Sequence, residues 1–195
     1  MPKHIVIIDG HPDASRERFC HALADAYAQA AAAAGHTVQR IVIAETEIPF
    51  LRSAREWSKG VPTPAMRQCQ LAVGAAEHLV IIYPLWLGTM PALLKAFLEQ
   101  VIRPGFAIKD SDDGGWPSGL LKGKSARIIV TMGMPALIYR WFFLAHSLKS
   151  LERNILAFAG IRPIRDTLIG GVDGLGPAGR ERWLEAVRGL GRHGR

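Results

Sequence analysis

Hydrophobic residues fall along this chain in short runs, separated by longer stretches with one apolar face. The runs at 3–9 (KHIVIID), 37–43 (TVQRIVI), 78–83 (HLVIIY), 125–131 (SARIIVT) and 164–169 (IRDTLI) are too short for helices. They are rich in β-branched residues, so they predict strands, several of them buried on both faces. Between them, residues 15–34 are Ala-rich with apolar positions at helical spacing, and Gly35 closes the stretch where a helix C-terminus favours glycine. Residues 64–75, 91–101 and 177–190 each open with a proline, the residue best tolerated in a first helical turn. A further helix falls within 134–159 and is closed by Gly160. Residues 45–62 read as irregular. Residues 103–122 read as a long loop carrying Gly-Gly, Trp-Pro and the acidic Asp110, Asp112 and Asp113.

Strands thus alternate with helices five times. That order predicts an α/β fold, a doubly wound five-stranded parallel sheet with helices on both faces. With 195 residues and no long linker or repeat, one domain over residues 1–195 is expected. Ligands of such sheets bind beyond the carboxyl ends of the strands. This selects three loops: 10–15, 84–90 and 132–138.

The first loop reads GHPDAS and continues RERF. Ser15 is expected to cap the helix, and the free N–H groups there, with Arg16, Arg18 and His11, make a candidate anion site. The alternative is an ordinary capped helix with two surface arginines. No Gly-x-Gly-x-x-Gly follows the first strand, which argues against a nicotinamide Rossmann domain. Residues 118–125 (SGLLKGKS) only approach a P-loop: Ser118 stands at the first glycine position, and the stretch precedes its strand. Lys122 and Lys124 there read as solvated strand ends. The second loop, PLWLGTM, is unusual in a different way. It carries no charge and exposes Trp86 and Leu87 to something apolar.

Composition changes this picture little. The chain is 49% hydrophobic and 21% charged, which is globular rather than disordered. Cys20 and Cys69 form neither a metal spacing nor a disulfide framework, and no metal site is expected. No apolar segment is long enough for a membrane span, and the N-terminal run is too short for a signal peptide, so a cytoplasmic protein is expected. The net charge of +7 lies largely after residue 120. It forms no dense basic stripe interleaved with aromatics, so nucleic acid is not an expected partner. Dispersed solvated charge explains most of it, and a phosphate-bearing cofactor is the next explanation. There is no Gly-x-Ser-x-Gly elbow for a hydrolase.

Taken together, Gly10-His11-Pro12 with Ser15, Tyr83-Pro84-Leu85-Trp86, Met90-Pro91-Ala92-Leu93-Leu94-Lys95 and Gly105-Phe106-Ala107 resemble, in this order, the flavodoxin-like NAD(P)H:quinone oxidoreductases. That family includes quinone reductase, modulator of drug activity B and the ancillary reductases of potassium efflux systems. The resemblance covers nearly the whole chain. It implies a flavin whose phosphate meets His11, Ser15, Arg16, Arg18 and Phe19. Pro84, Leu85, Trp86 and Leu87 would run beside the ring, with the N–H groups of residues 85–87 directed at it. Thr131, Met132, Gly133 and Met134 stand where the family has Thr-Thr-Gly-Gly. Tyr139, and less closely His146, fall where the family carries a Tyr and a His linked to hydride transfer. An aromatic helical stripe with core or interface duty is the other reading of Tyr139. The family's aromatic pair after Phe-Ala is replaced by Ile108 and Asp110.

The activity implied is two-electron reduction of quinones or similar planar acceptors by NAD(P)H, in ping-pong fashion. The resemblance implies a homodimer as well. Chain length favours FAD over FMN. The alternatives are an ancillary flavoprotein acting on a membrane transporter, and a flavodoxin-type electron carrier.

Overall fold

The computed structural model describes residues 1–109 and 118–195. The expectations concerning Asp110, Asp112 and Asp113, and the Gly-Gly and Trp-Pro pairs, lie outside the described residues.

Five strands form one parallel sheet: β1 (His4–Asp9), β2 (Thr37–Val42), β3 (His78–Pro84), β4 (Ser125–Thr131) and β5 (Ile164–Ile169), in the order β2-β1-β3-β4-β5. The strand order reverses direction at β1 and β3, which places the crevice for a ligand at their carboxyl ends. Side chains alternate across the sheet as the strand period requires. Val6, Ile8, Leu79, Ile81, Ile128 and Val130 pack one face with α3 (Pro64–Ala75) and α4 (Ala92–Val101). Ile5, Ile7, Val80, Ile82 and Ile129 pack the other with α1 (Phe19–Ala33) and α7 (Pro177–His193). The doubly wound expectation is met.

Three stretches differ from the sequence reading. Helix α1 begins at Phe19 with Arg18 at its cap, not at residue 15. The Asp13 carboxylate captures the Ser15 N–H at 2.8 Å and turns the chain before the helix can start. Residues 45–62 are not wholly irregular, for α2 (Ala54–Lys59) lies within them. Its start is a capping box: Ser53 Oγ accepts from the Glu56 N–H (3.1 Å), and Glu56 accepts from the Arg52 N–H (2.9 Å). Its end is held by the buried Arg103 guanidinium, which donates to the carbonyls of Glu56, Trp57 (3.1 Å) and Gly60 (2.7 Å). The third stretch is the helix expected within 134–159, which is broken. Leu144 and Ala145 adopt φ of 52° and 49°, separating α5 (Ala136–Trp141) from α6 (His146–Lys149), which runs on into a wider π turn, Ser150–Leu156. Lys124 is not a free strand end either. Its ammonium donates to the carbonyls of Gly74 and Ala76 at the end of α3.

Candidate functional site

The carboxyl ends of β1, β3 and β4 come into register at one edge, where Asp9 is paired two residues before Pro84, and Pro84 beside Thr131. The loops that leave this edge enclose a cavity of about 390 Å³. One wall is the start of α1, with Arg18, Phe19 and Cys20. Another is Pro84, Leu85 and Trp86, and a third is Thr131, Met132 and Gly133. Asp173 and Arg180 close it from the segment after β5.

Local structure explains why these walls stand so close. Gly10 donates its N–H to the Ile82 carbonyl at 2.7 Å. A Cβ at position 10 would lie 2.8 Å from Leu94 Cδ2 and 2.9 Å from that carbonyl, so only glycine lets the first loop lie against β3. At Gly133 a Cβ would meet the Asp173 carboxylate at 2.5 Å.

The first loop is wired by its own side chains. Asp13 accepts from Ser15 N–H and, at 2.7 Å, from Arg18 Nε. These bonds, the backbone one foremost, hold its carboxyl below the usual carboxylate range. His11 Nδ1 lies 3.1 Å from the Asp13 N–H and 3.3 Å from the Asp13 carbonyl, so Asp13 holds the ring in place by its backbone. Burial, and next the neighbouring His21, lower the proton affinity of His11. The imidazole is therefore neutral at neutral pH. The first N–H groups of α1 have no partner within the helix and bring positive potential to the cavity. Arg180 adds a cation. It is held over the Phe19 ring at 5.2 Å by its own bonds to the carbonyls of Leu175 (3.1 Å) and Val172 (3.3 Å). Cys20 faces the cavity too, but burial pushes its thiol up to about 12, so it is no nucleophile.

The uncharged second loop is a two-residue hairpin turn. Trp86 and Thr89 exchange backbone bonds of 2.9 and 3.0 Å, and Leu87 and Gly88 take φ of 46° and 78°. Leu87 is fully exposed and Trp86 half exposed. The Leu85 N–H donates to the Thr131 carbonyl at 2.7 Å. Of the three N–H groups at 85–87, those of Leu85 and Trp86 are therefore spent within the protein. On the far side of the turn lies a second, largely apolar cavity of about 440 Å³, lined by Trp86, Leu87, Met90, Pro91, Ser147 and Ile155 among others.

Of the residues singled out in the sequence, His11, Arg18, Phe19, Pro84, Leu85, Trp86, Thr131, Met132 and Gly133 line the first cavity. Ser15 and Arg16 do not; Arg16 pairs with Glu45 at 3.7 Å. Met134 packs on the core. Tyr139 is buried, and its hydroxyl contacts Ser147 Oγ (2.7 Å) and accepts from the Leu148 N–H (3.1 Å). It anchors α6, and its hydroxyl is not presented to the cavity. His146 is exposed at the start of α6, also away from the cavity. Arg180 and Asp173 were missed. They come from the segment after β5, and no local motif marks them.

The lining fits a flavin phosphate: helix N–H groups, His11, Arg18 and Arg180 stand around one cavity beside the apolar Trp86 turn, with the carboxylates of Glu17 and Asp173 also on its wall. No cluster of three metal-ligating side chains occurs among the described residues. No helix of the described residues is long and apolar enough to cross a membrane.

A family model described as flavodoxin-like fold matches residues 3–190. An uncharacterized NAD(P)H oxidoreductase of Haemophilus influenzae is 31% identical over 111 residues, 56% of this chain and 54% of that protein. An FMN-dependent NADH:quinone oxidoreductase of Acidobacterium capsulatum is 33% identical over 126 residues, 62% of this chain and 55% of that protein. The chain thus spans about half the length of these curated relatives. Among solved structures, the NAD(P)H:quinone oxidoreductase of Methanothermobacter marburgensis superposes with a TM-score of 0.84 at 22% identity, covering 100% of both chains, a likeness of fold. The FAD expected from chain length is corrected here, because the Acidobacterium relative is FMN-dependent. Length alone carries no information about the adenylate half of a flavin.

Proposed function

Because the chain belongs to the flavodoxin-like fold family, we propose that it is an FMN-dependent NAD(P)H:quinone oxidoreductase, folded as a single unit. The observation that carries this reading is the meeting of an anion site with an apolar aromatic turn at the β1/β3 switch point. The first N–H groups of α1, His11, Arg18 and Arg180 hold the phosphate. Pro84, Leu85, Trp86, Thr131, Met132 and Gly133 hold the ring. Bound flavin supplies the two-electron relay, accepting hydride from NAD(P)H and passing it to a quinone. The protein binds, orients and keeps water away. The apolar cavity that shares Trp86 suits a planar acceptor.

A homodimer belongs to the same reading. Leu137, Trp141 and Phe142 of the α5 segment are each at least 70% exposed, and Leu87 is wholly so. Apolar exposure on this scale marks an interface, and a second copy is the partner we assign. The unpaired, buried Cys20 and Cys69 support a reducing, cytoplasmic setting.

The test is to purify the protein, identify any flavin released on denaturation, and follow NAD(P)H oxidation with a short-chain quinone. FMN and quinone-dependent turnover are expected. A colourless protein that neither binds added FMN nor oxidises NAD(P)H would overturn the proposal.

A further inference from the structure

Beneath the first loop lies a charge cluster that does not line the cavity. The Asp9 carboxylate, at the end of β1, is wholly buried. His21, in the first turn of α1, is 2% exposed. Its Nδ1 lies 2.6 Å from Asp9 Oδ2, and its Nε2 lies 2.8 Å from the Asp13 carbonyl. Arg40 of β2 donates to the same Asp9 oxygen and to Asp25. An Asp9 bonded to a guanidinium in this way is ionised. Its carboxylate and the Asp13 carbonyl can only accept. Both ring nitrogens of His21 must therefore donate, and a neutral imidazole has a single N–H.

We propose that His21 is a positioning residue held as an imidazolium, which ties the 10–18 loop to β1 and so sets His11 and the start of α1 for the anion they face. His21 acts through Asp13. The carbonyl of Asp13 takes the His21 bond, its N–H holds His11 Nδ1, and its carboxylate holds the Ser15 N–H and Arg18. Fixing one residue thus fixes two of the groups that line the cavity, His11 and Arg18. The charge count agrees. With His21 protonated, Asp9, Asp25, Arg40 and His21 sum to zero. With His21 neutral, a net negative charge would lie under a site built for an anion.

His11 reports on this arrangement. It meets His21 of α1 with ring centroids 5.4 Å apart, Asp9 of β1 through its own N–H at 3.4 Å, Asp13 of the loop, and the uncharged Trp86 of the turn after β3. Arg18 stands behind Asp13, and Arg40 behind Asp9. Burial and the charge on His21 together favour neutral His11. The consequence for phosphate rests on the cofactor reading above; the protonation of His21 does not.

The experiment is ¹⁵N-histidine NMR of the whole protein near neutral pH, with His21→Gln and Asp9→Asn as variants. In the wild type, both His21 nitrogens should carry protons, and His11 should be neutral. In D9N, His21 should revert to a neutral ring. In H21Q, His11 should titrate at higher pH than in the wild type, and the dissociation constant for FMN should rise roughly tenfold, the scale of losing one charge-assisted bond. A neutral His21 ring in the wild type overturns the proposal, whether or not either variant folds. So does an unmoved His11 titration in folded H21Q. An imidazolium His21 in a protein that binds no FMN would instead support the proposal and sink the cofactor reading.

Discussion

Trp86 meets His11 edge to face, with ring centroids 5.8 Å apart and planes at 83°. This contact joins the two loops that the sequence marked separately, one as an anion site and one as an apolar turn. It also fixes the border of the cavity, because Trp86 is half exposed and borders the second cavity as well.

Replacing Trp86 by Ala should therefore loosen the cofactor without unfolding the chain. The lost edge contact is worth about 1 kcal/mol. FMN affinity is expected to fall by roughly fivefold or more, since a ring face is lost as well. Fluorescence titration with FMN measures the change, and circular dichroism checks the fold. Unchanged affinity would make Trp86 a surface residue.

Tyr139 leads to the opposite expectation. Tyr139→Phe leaves the Leu148 N–H without its acceptor in a buried setting. Stability should fall by about 1–2 kcal/mol. NAD(P)H:quinone turnover should stay within about twofold, because a hydroxyl turned to α6 contributes nothing to the barrier. A large loss of kcat in a fully folded variant would return Tyr139 to the chemistry.

These two aromatic residues illustrate what the sequence discloses. Strands β1, β3 and β4 were legible because burial on both faces leaves apolar runs, as in 79–82, whereas the half-buried edge strands β2 and β5 showed through their β-branched residues. The cavity walls followed from strand order, since ligands gather at the carboxyl edge. The start of α1 was misread because the competing Asp13 lies two residues before Ser15, and both are good cap residues. Helix α2 was hidden although Ser53 and Glu56 spell its capping box; the surrounding Pro49 and Pro62 argued for irregular chain. Arg180, Arg103 and the Asp9–His21–Arg40 cluster were not legible at all. Their meaning depends on partners contributed by other elements.

Gly10→Ala tests the packing that brings the first loop to β3. The new Cβ would sit 2.9 Å from a backbone oxygen that has little room to retreat. Overpacking of this kind costs about 1–3 kcal/mol. The urea midpoint should drop, and FMN affinity should drop with it as the loop lifts. A variant as stable as the wild type would mean that β3 and α4 yield more easily than their burial implies.

The pH dependence of stability has a definite sign. His78 is 2% exposed and bonded to Ser125 Oγ at 2.8 Å. Burial, then Lys3 and Arg127, lower its value from 6.5 to about 4. Between those values the unfolded chain binds a proton that the folded chain refuses. The stabilisation is complete above 6.5 and is lost as pH falls toward 4, at up to about 1.4 kcal/mol per pH unit. His11 is lowered as well and adds to the same trend. Urea unfolding near neutral pH and again near the lower value should show this loss, and His78→Gln should flatten part of it. A stability that rises on acidification would contradict the assignment.

The exposed face of α5 yields the last prediction. Trp141 and Phe142 are 72% and 78% exposed, and Phe142 stacks edgewise on Phe143 at 5.0 Å. Burying one such aromatic side chain against a second copy is worth about 1.5–3 kcal/mol. Trp141→Glu removes that gain and places a carboxylate in the interface, where an unpaired charge is costly. Sedimentation should give the wild type twice the mass of one chain, and the W141E variant should shift toward one chain with an unchanged far-ultraviolet spectrum. The variant's dimer dissociation constant should rise at least tenfold, since the lost burial alone accounts for about that factor. A wild type that sediments as one chain at micromolar concentration would remove the second copy as the cover for this face.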